Sequence, residues 1–204
     1  MQFKIDDIEE IAAKFTEYGL AIERDLILLA GLPGVGKTTV ANEFAKQTNG
    51  VHFDIDEVKR QVVPRDILTE DIDPPEYRFK YYAETIRRLP DLFIENPSRT
   101  VIIDETFHLK DFRELWTEAA KKLNIRAHWV EAVCDEECLR ERLQIGKNRE
   151  AHILGGDKAF PMYLRFKEVF EPMTEPFEVV DTTREIEPQV QNVIKKGAIG
   201  GKIT

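Results

Sequence analysis

The sequence predicts an α/β fold built on an open parallel sheet, and three observations predict it. Short apolar runs of strand length alternate along the chain with amphipathic stretches of helix length. The first complete run, "LILLA" (26–30), lacks the polar alternation of a half-exposed strand, as expected for a strand buried on both faces of a parallel sheet. The candidate chemistry also clusters just after the strand ends, where ligands sit in such sheets.

Each element follows from its own signals. Apolar residues at helical spacing from Ile5 to Tyr18, with Gly19 as a stop, predict an added N-terminal helix. "VHFDID" (51–56) reads as a second strand ending in carboxylates, followed by a short helix that stops before Pro64. After Pro74-Pro75 a longer helix begins, with a break expected near Pro90. "TVIID" (100–104) is a third strand, "KDFRELWTEAAKKLN" a helix and "IRAHWVEAV" a fourth strand. "DEECLRERLQ" is a helix opened by Asp135, "FPMYLRFKEVFEP" another helix, and "FEVVDTT" a fifth strand. The glycine-rich end from Lys195 is expected to fray. These signals divide the chain into an N-terminal helical extension (1–24), an α/β domain (25–184) and a C-terminal helix with a flexible tail (185–204).

Composition narrows the function classes. A chain of 204 residues suits one domain, and its formal charge of −9 weakens the case for a long polyanionic partner. No apolar stretch approaches the roughly 20 residues of a membrane span, and the first residues do not form a signal-peptide core. The cytoplasm is the expected compartment, and a monomer or homodimer the expected assembly. Cys134 and Cys138 stand four apart at a helix start without further metal ligands, so reduced thiols are expected. No internal repeat is visible.

Gly31-Leu-Pro-Gly-Val-Gly-Lys37-Thr38 fits G-x-x-x-x-G-K-[ST] between a buried strand and a helix. Such a loop turns backbone amides toward phosphate oxygens, so Gly31, Gly34, Val35, Gly36, Lys37, Thr38 and Thr39 are the candidate ATP-binding residues. Lys37 would reach the β and γ phosphates, and Thr38 would ligate Mg²⁺. Asp104, ending the third strand, is the expected second Mg²⁺ residue. Glu105 beside it reads either as a water activator of an ATPase or as an ordinary polar neighbour.

Asp56 falls just past the second strand, which this reading sets beside the P-loop strand, facing the space beyond the γ phosphate. A carboxylate there can take the proton of an attacking hydroxyl. Asp54, two positions earlier on the same face of an extended strand, is a second carboxylate or a cap. Lys59 and Arg60 follow, and either could neutralise substrate charge or lie on the surface. His108 lies at the right edge of the sheet to touch substrate. Tyr77, Arg78, Lys80, Tyr81 and Tyr82 read as an amphipathic helix face with snorkelling ends, or as substrate contacts. Arg87 and Arg88 read as surface.

On "GLPGVGKTT", "FDIDEVKRQVVP", "VIIDETF", "LRERL" and "FEPMTEPFEVVDTT", from about Asp25 to Thr183, the chain resembles the small P-loop kinases of the predicted-kinase and polynucleotide-kinase group, related to zeta toxins, chloramphenicol phosphotransferase and adenylylsulfate kinase. The resemblance implies a P-loop NTPase three-layer sandwich, a five-stranded parallel sheet of order 2-3-1-4-5 flanked by helices, and makes the α/β domain (25–184) a P-loop kinase domain with a lid near 142–158. It implies an ATP- and Mg²⁺-dependent phosphotransferase in which Asp56 is the base for the acceptor hydroxyl and Lys59 assists. Lys59 stands where the group usually carries arginine. The arginine that usually follows the lid helix is also missing, leaving Arg142, Lys147 or Arg149 as the lid cation. Adenine contacts are expected near Arg140 and the Thr182-Thr183 turn. The acceptor reads as a small hydroxylated metabolite, a nucleotide-sugar or an antibiotic-like molecule. A 5′-hydroxyl kinase of nucleic acid, an ATP-hydrolysing switch using Glu105, and a nucleotide-binding member of a toxin and antitoxin pair are the competing readings.

Overall fold

The structure, a computed structural model, describes residues 4–17, 24–69, 72–96, 100–145 and 159–200. Five strands, β1 (Asp25–Ala30), β2 (Val51–Phe53), β3 (Thr100–Asp104), β4 (Arg126–Val133) and β5 (Phe177–Asp181), form one sheet of order β2-β3-β1-β4-β5. Every pairing is parallel. The predicted order holds, with one consequence for the site: β3 lies between β1 and β2, so the second strand is not the neighbour of the P-loop strand. The second strand is also shorter than predicted. Asp54 already leaves it to cap the next helix, and its side chain accepts the Asp56 amide at 2.9 Å.

β1 is buried along its whole length. Alternation sends Leu26, Leu28 and Ala30 to one face and Ile27 and Leu29 to the other, dividing the core into two layers. The first is packed by α3 (Ile55–Val62), α4 (Pro75–Glu95) and α5 (Lys110–Lys122), the second by α2 (Lys37–Thr48) and α8 (Ile186–Gly197). Helices α6 (Glu136–Ile145) and α7 (Ala159–Val169) lie between β4 and β5 in the chain. As predicted, Asp135 opens α6, accepting the Cys138 amide at 2.8 Å.

Two sequence expectations are corrected. α4 runs unbroken through Pro90, which is buried on the same face as Ile86, Leu89 and Phe93. The hydrogen bond that proline removes is offset by that packing. The tail does not fray from Lys195: Ile199 is buried, and the Gly200 amide donates to Asp25 Oδ2 at 2.8 Å. Residues 201–204 lie outside the described residues, as do Tyr18 and Gly19 of the predicted N-terminal helix.

That helix, α1 (Ile8–Glu17), docks on α4 and α5. Phe15 meets Phe93 with ring centroids 6.1 Å apart, and Asp7 takes Arg87 through two bonds of 2.6 and 3.0 Å, so Arg87 is not merely solvated surface. The loop after β3 is tied to the segment before β5. His108 O accepts the Glu171 amide at 2.8 Å, and buried Arg113 donates to Phe107 O, Pro172 O and Glu175. The "FEPMTEP" stretch therefore fixes the backbone that carries Glu105 and His108.

Candidate active site

The glycine-bearing loop joins β1 to α2. Gly31 has φ +148° and Gly36 φ +99°, conformations that side chains disfavour. A Cβ at Gly31 would also stand 2.6 Å from Ala132 O. Gly31 therefore cannot be replaced without moving β4. Lys37, the first residue of α2, folds back so that Nζ donates to Leu32 O at 3.1 Å. Burial lowers its pKa against the opposing pull of Glu105, Asp104 and Asp56.

Thr38 Oγ1 donates to Asp104 Oδ2 at 3.0 Å, so the two residues predicted to share Mg²⁺ are side by side. Hydroxyl and carboxylate oxygens form a hard donor set suited to Mg²⁺, which keeps its remaining positions for water and phosphate. Among the described residues no cluster of three or more His, Cys, Asp or Glu is arranged to hold a metal. His52, which the sequence reading did not single out, bridges this pair to α2. Its Nε2 lies 2.5 Å from Asp104 Oδ1, and its Nδ1 3.1 Å from Asn42 Oδ1. Burial pushes the Asp104 pKa up, but the His52 hydrogen bond and the His52 and Lys37 charges outweigh it and hold the carboxyl below its usual range.

Asp56 sits in the first turn of α3, half-buried, reaching the site from a helix start and not from a strand face. Burial first and the nearby Glu105 charge second raise its pKa to about 6, against the lowering effect of Lys59. A carboxylate poised near neutrality is matched to proton transfer.

Lys59, Asp73, Arg78, Tyr81 and Glu105 form a second network. Asp73 Oδ2 lies 2.7 Å from Lys59 Nζ and 3.3 Å from Arg78 Nη2, while Arg78 Nη1 lies 3.3 Å from Glu105 Oε1. Glu105 also accepts its neighbour's amide, from Thr106, at 2.6 Å. Burial raises the Glu105 pKa, but the Arg78 charge, the Thr106 amide, Lys59 and Lys37 bring it down to about 2. The snorkelling face expected on α4 forms only in part: exposed Lys80 lies over the half-buried Tyr77 ring, 4.6 Å from its centroid, whereas Arg78, Tyr81 and Tyr82 are buried, with their polar ends turned into the protein. Sequence reasoning missed Asp73 altogether. The available signal was helical spacing, since Arg78, Tyr81 and Tyr82 share one face just after Asp73-Pro-Pro.

His108 is buried, its ring edge-on to Phe166 at 5.3 Å. Burial, with Arg78 and Arg113 nearby, lowers its pKa to about 3 and keeps it neutral.

On the far side of the P-loop, Arg142 donates to Thr182 Oγ1 at 2.9 Å and to Thr182 O at 2.5 Å. Thr182 Oγ1 in turn donates to Val35 O at 2.6 Å. The predicted lid cation is thus drawn onto the back of the P-loop. Arg140 bonds Glu136 at 2.8 Å and lies 3.9 Å over the Phe160 ring, contacts that join α6 to α7. Lys147, Arg149 and the rest of the predicted lid, 146–158, lie outside the described residues.

Three solved structures are similar along most of their length. A sugar kinase from Janibacter sp. has TM-score 0.62 at 17% identity, over 85% of this chain and 94% of that one. A gluconokinase from Sinorhizobium meliloti has TM-score 0.61 at 17% identity, over 85% and 91%. The Mycobacterium tuberculosis APS kinase, solved with AMPPNP and APS, has TM-score 0.57 at 17% identity, over 84% and 96%. At such identities the likeness is one of fold. A family model described as an AAA domain, AAA_33, matches residues 26–159, which hold the P-loop, Asp56, Asp104 and Arg142. With that match over most of the chain and a sheet ordered as in the small P-loop kinases, the protein belongs to the AAA_33 family.

Proposed function

We propose that the protein is an ATP-dependent kinase that transfers the γ-phosphoryl group to a hydroxyl of a small acceptor. The observation that carries this reading is Asp56: a half-buried carboxylate with pKa near 6, fixed at a helix start and within electrostatic reach of the P-loop lysine. In this reading the amides of Gly34 to Thr39 and Lys37 hold the triphosphate, and Thr38 and Asp104 hold Mg²⁺. Bound there, Mg²⁺ would neutralise charge on the phosphate oxygens. Asp56 orients the acceptor hydroxyl, takes its proton and leaves the oxygen free for in-line attack on phosphorus. Lys59 steadies Asp56 in its ionised form. Arg142 and Arg140 serve the nucleotide side, and the 142–158 segment would exclude water as a lid.

Glu105 fits a structural part better than that of a water activator. Its oxygens are already engaged by Arg78, Tyr81 and the Thr106 amide, leaving little capacity to hold a water. This counts against the ATP-hydrolysing switch, and the acidic charge counts against a nucleic-acid acceptor.

The test is transfer from γ-labelled ATP with Mg²⁺ to a panel of nucleosides, nucleotide-sugars, amino alcohols, aminoglycosides and 5′-hydroxyl oligonucleotides. Wild type is expected to label one class, and Asp56→Asn to lose at least about 100-fold of that rate. Acceptor-independent phosphate release, equal in both proteins and abolished by Glu105→Gln, would replace the kinase with the switch.

A further inference from the structure

Among the described residues, the cations on the acceptor side of the site are already paired; Lys147, Arg149 and Lys158 lie outside the described residues. Lys59 is held by Asp73 at 2.7 Å, and Arg78 is shared between Asp73 and Glu105 at 3.3 Å each. Arg60, next on α3, is turned to Asp54 at 3.4 Å. With Asp56 added, Lys59 and Arg78 face three carboxylates, while Lys37 belongs to the phosphate side. The pairing is not easily broken, because the Asp73 and Arg78 side chains are only 2% and 3% exposed. Drawing a cation away would leave buried negative charge uncompensated.

An acceptor bearing phosphate, sulfate or carboxylate would meet this wall as a fourth anion, with no cation among the described residues of the wall released to meet it. Resting on the kinase reading above, we infer that the acceptor is a hydroxyl compound without anionic groups: a polyol, sugar or amino alcohol. Like-charge repulsion then rejects anionic analogues of the same scaffold.

Two measurements on the full chain test this. In the first, protein saturated with AMPPNP and Mg²⁺, so that the P-loop is filled, is titrated with sulfate at constant ionic strength in a calorimeter. Wild type is expected to show no saturable binding, and Asp73→Asn, which frees Lys59, to gain it. Saturable sulfate binding by wild type would overturn the inference whether or not the variant folds. In the second, γ-label transfer is compared across glucose, glucosamine, gluconate and glucose 6-phosphate, with matched polyols and their phosphates. The neutral or amine-bearing member of the accepted scaffold is expected to exceed its anionic partner by about tenfold or more in kcat/KM. Preference for the anionic member overturns the charge inference and leaves the kinase standing. Transfer to no member counts against the kinase reading itself, and the sulfate titration then decides the charge argument alone.

Discussion

In the proposed reaction, Asp56 carries opposite demands of stability and chemistry. Its pKa of about 6 lies above the ordinary aspartate value of about 3.9, so between those pH values the folded state binds more protons than the unfolded one. Stability therefore falls as pH rises through that window. Above it the ionised carboxylate costs the fold about 3 kcal/mol, at about 1.4 kcal/mol per pKa unit. Asp56→Asn is expected to be more stable than wild type at pH 8, by up to that amount in urea unfolding, while losing transfer. Activity has the reverse slope: kcat/KM should rise with pH to a plateau with a midpoint near 6. Lys59→Met removes a cation that lowers the Asp56 pKa, so the midpoint should move to higher pH. At this scale the sequence was legible where the chemistry is contiguous, as in the Gly31 to Thr38 loop. It was opaque where partners are distant in the chain. Nothing in Asp73, Arg78 and Glu105 as residues announces that folding will pair them, and His52 becomes visible only once β2 lies beside β3.

Helix α3 and the end of β5 show how elements aim these residues. Asp54 belongs to α3, as its N-cap, and sets the angle at which Asp56 enters the site. Asp54→Ala is expected to cost about 1 kcal/mol and to lower kcat, with Asp54→Ser restoring most of both, read by urea unfolding and steady-state rates. The strand expected on this stretch ends early, at Phe53, because "VHFDID" alternates like a strand until a side chain captures a backbone amide, a competition that alternation cannot register. At β5, Thr182 couples Arg142 to the Val35 carbonyl. Thr182→Val should weaken AMPPNP binding about tenfold, the equivalent of one lost hydrogen bond of about 1.4 kcal/mol, by removing a brace behind the P-loop. The strand and helix order was readable throughout because buried parallel strands announce themselves as continuous apolar runs. α4 defied its proline because tertiary packing on a buried face outweighs a local preference.

For the whole molecule, stability and nucleotide binding should separate at the N-terminal helix. Phe15→Ala empties a contact with Phe93 on the outer face of α4 and is expected to cost about 3 to 5 kcal/mol in unfolding free energy while leaving the AMPPNP dissociation constant unchanged. At the bottom of the sheet, Asp25 gathers His128 at 2.8 Å, Arg126 at 2.9 Å and the Gly200 amide at 2.8 Å. Burial alone would raise its pKa, but those bonds outweigh it and hold the carboxyl below the usual range. Its contribution is thus complete above the ordinary aspartate pKa and disappears as pH falls through the lowered one. Asp25→Asn should consequently flatten the acid limb of a melting-temperature profile. The glycine-rich composition after Lys195 concealed this anchor, since the bond is made by a backbone amide and no side chain advertises it. The same bond has a topological meaning. It brings residue 200 to the first residue of the central strand, so residues 25–200 form a loop that nearly closes on itself. A short flexible linker joining those positions would turn this span into a ring, which could be reopened at an exposed turn such as 64–66 to give a permuted protein with the same sheet.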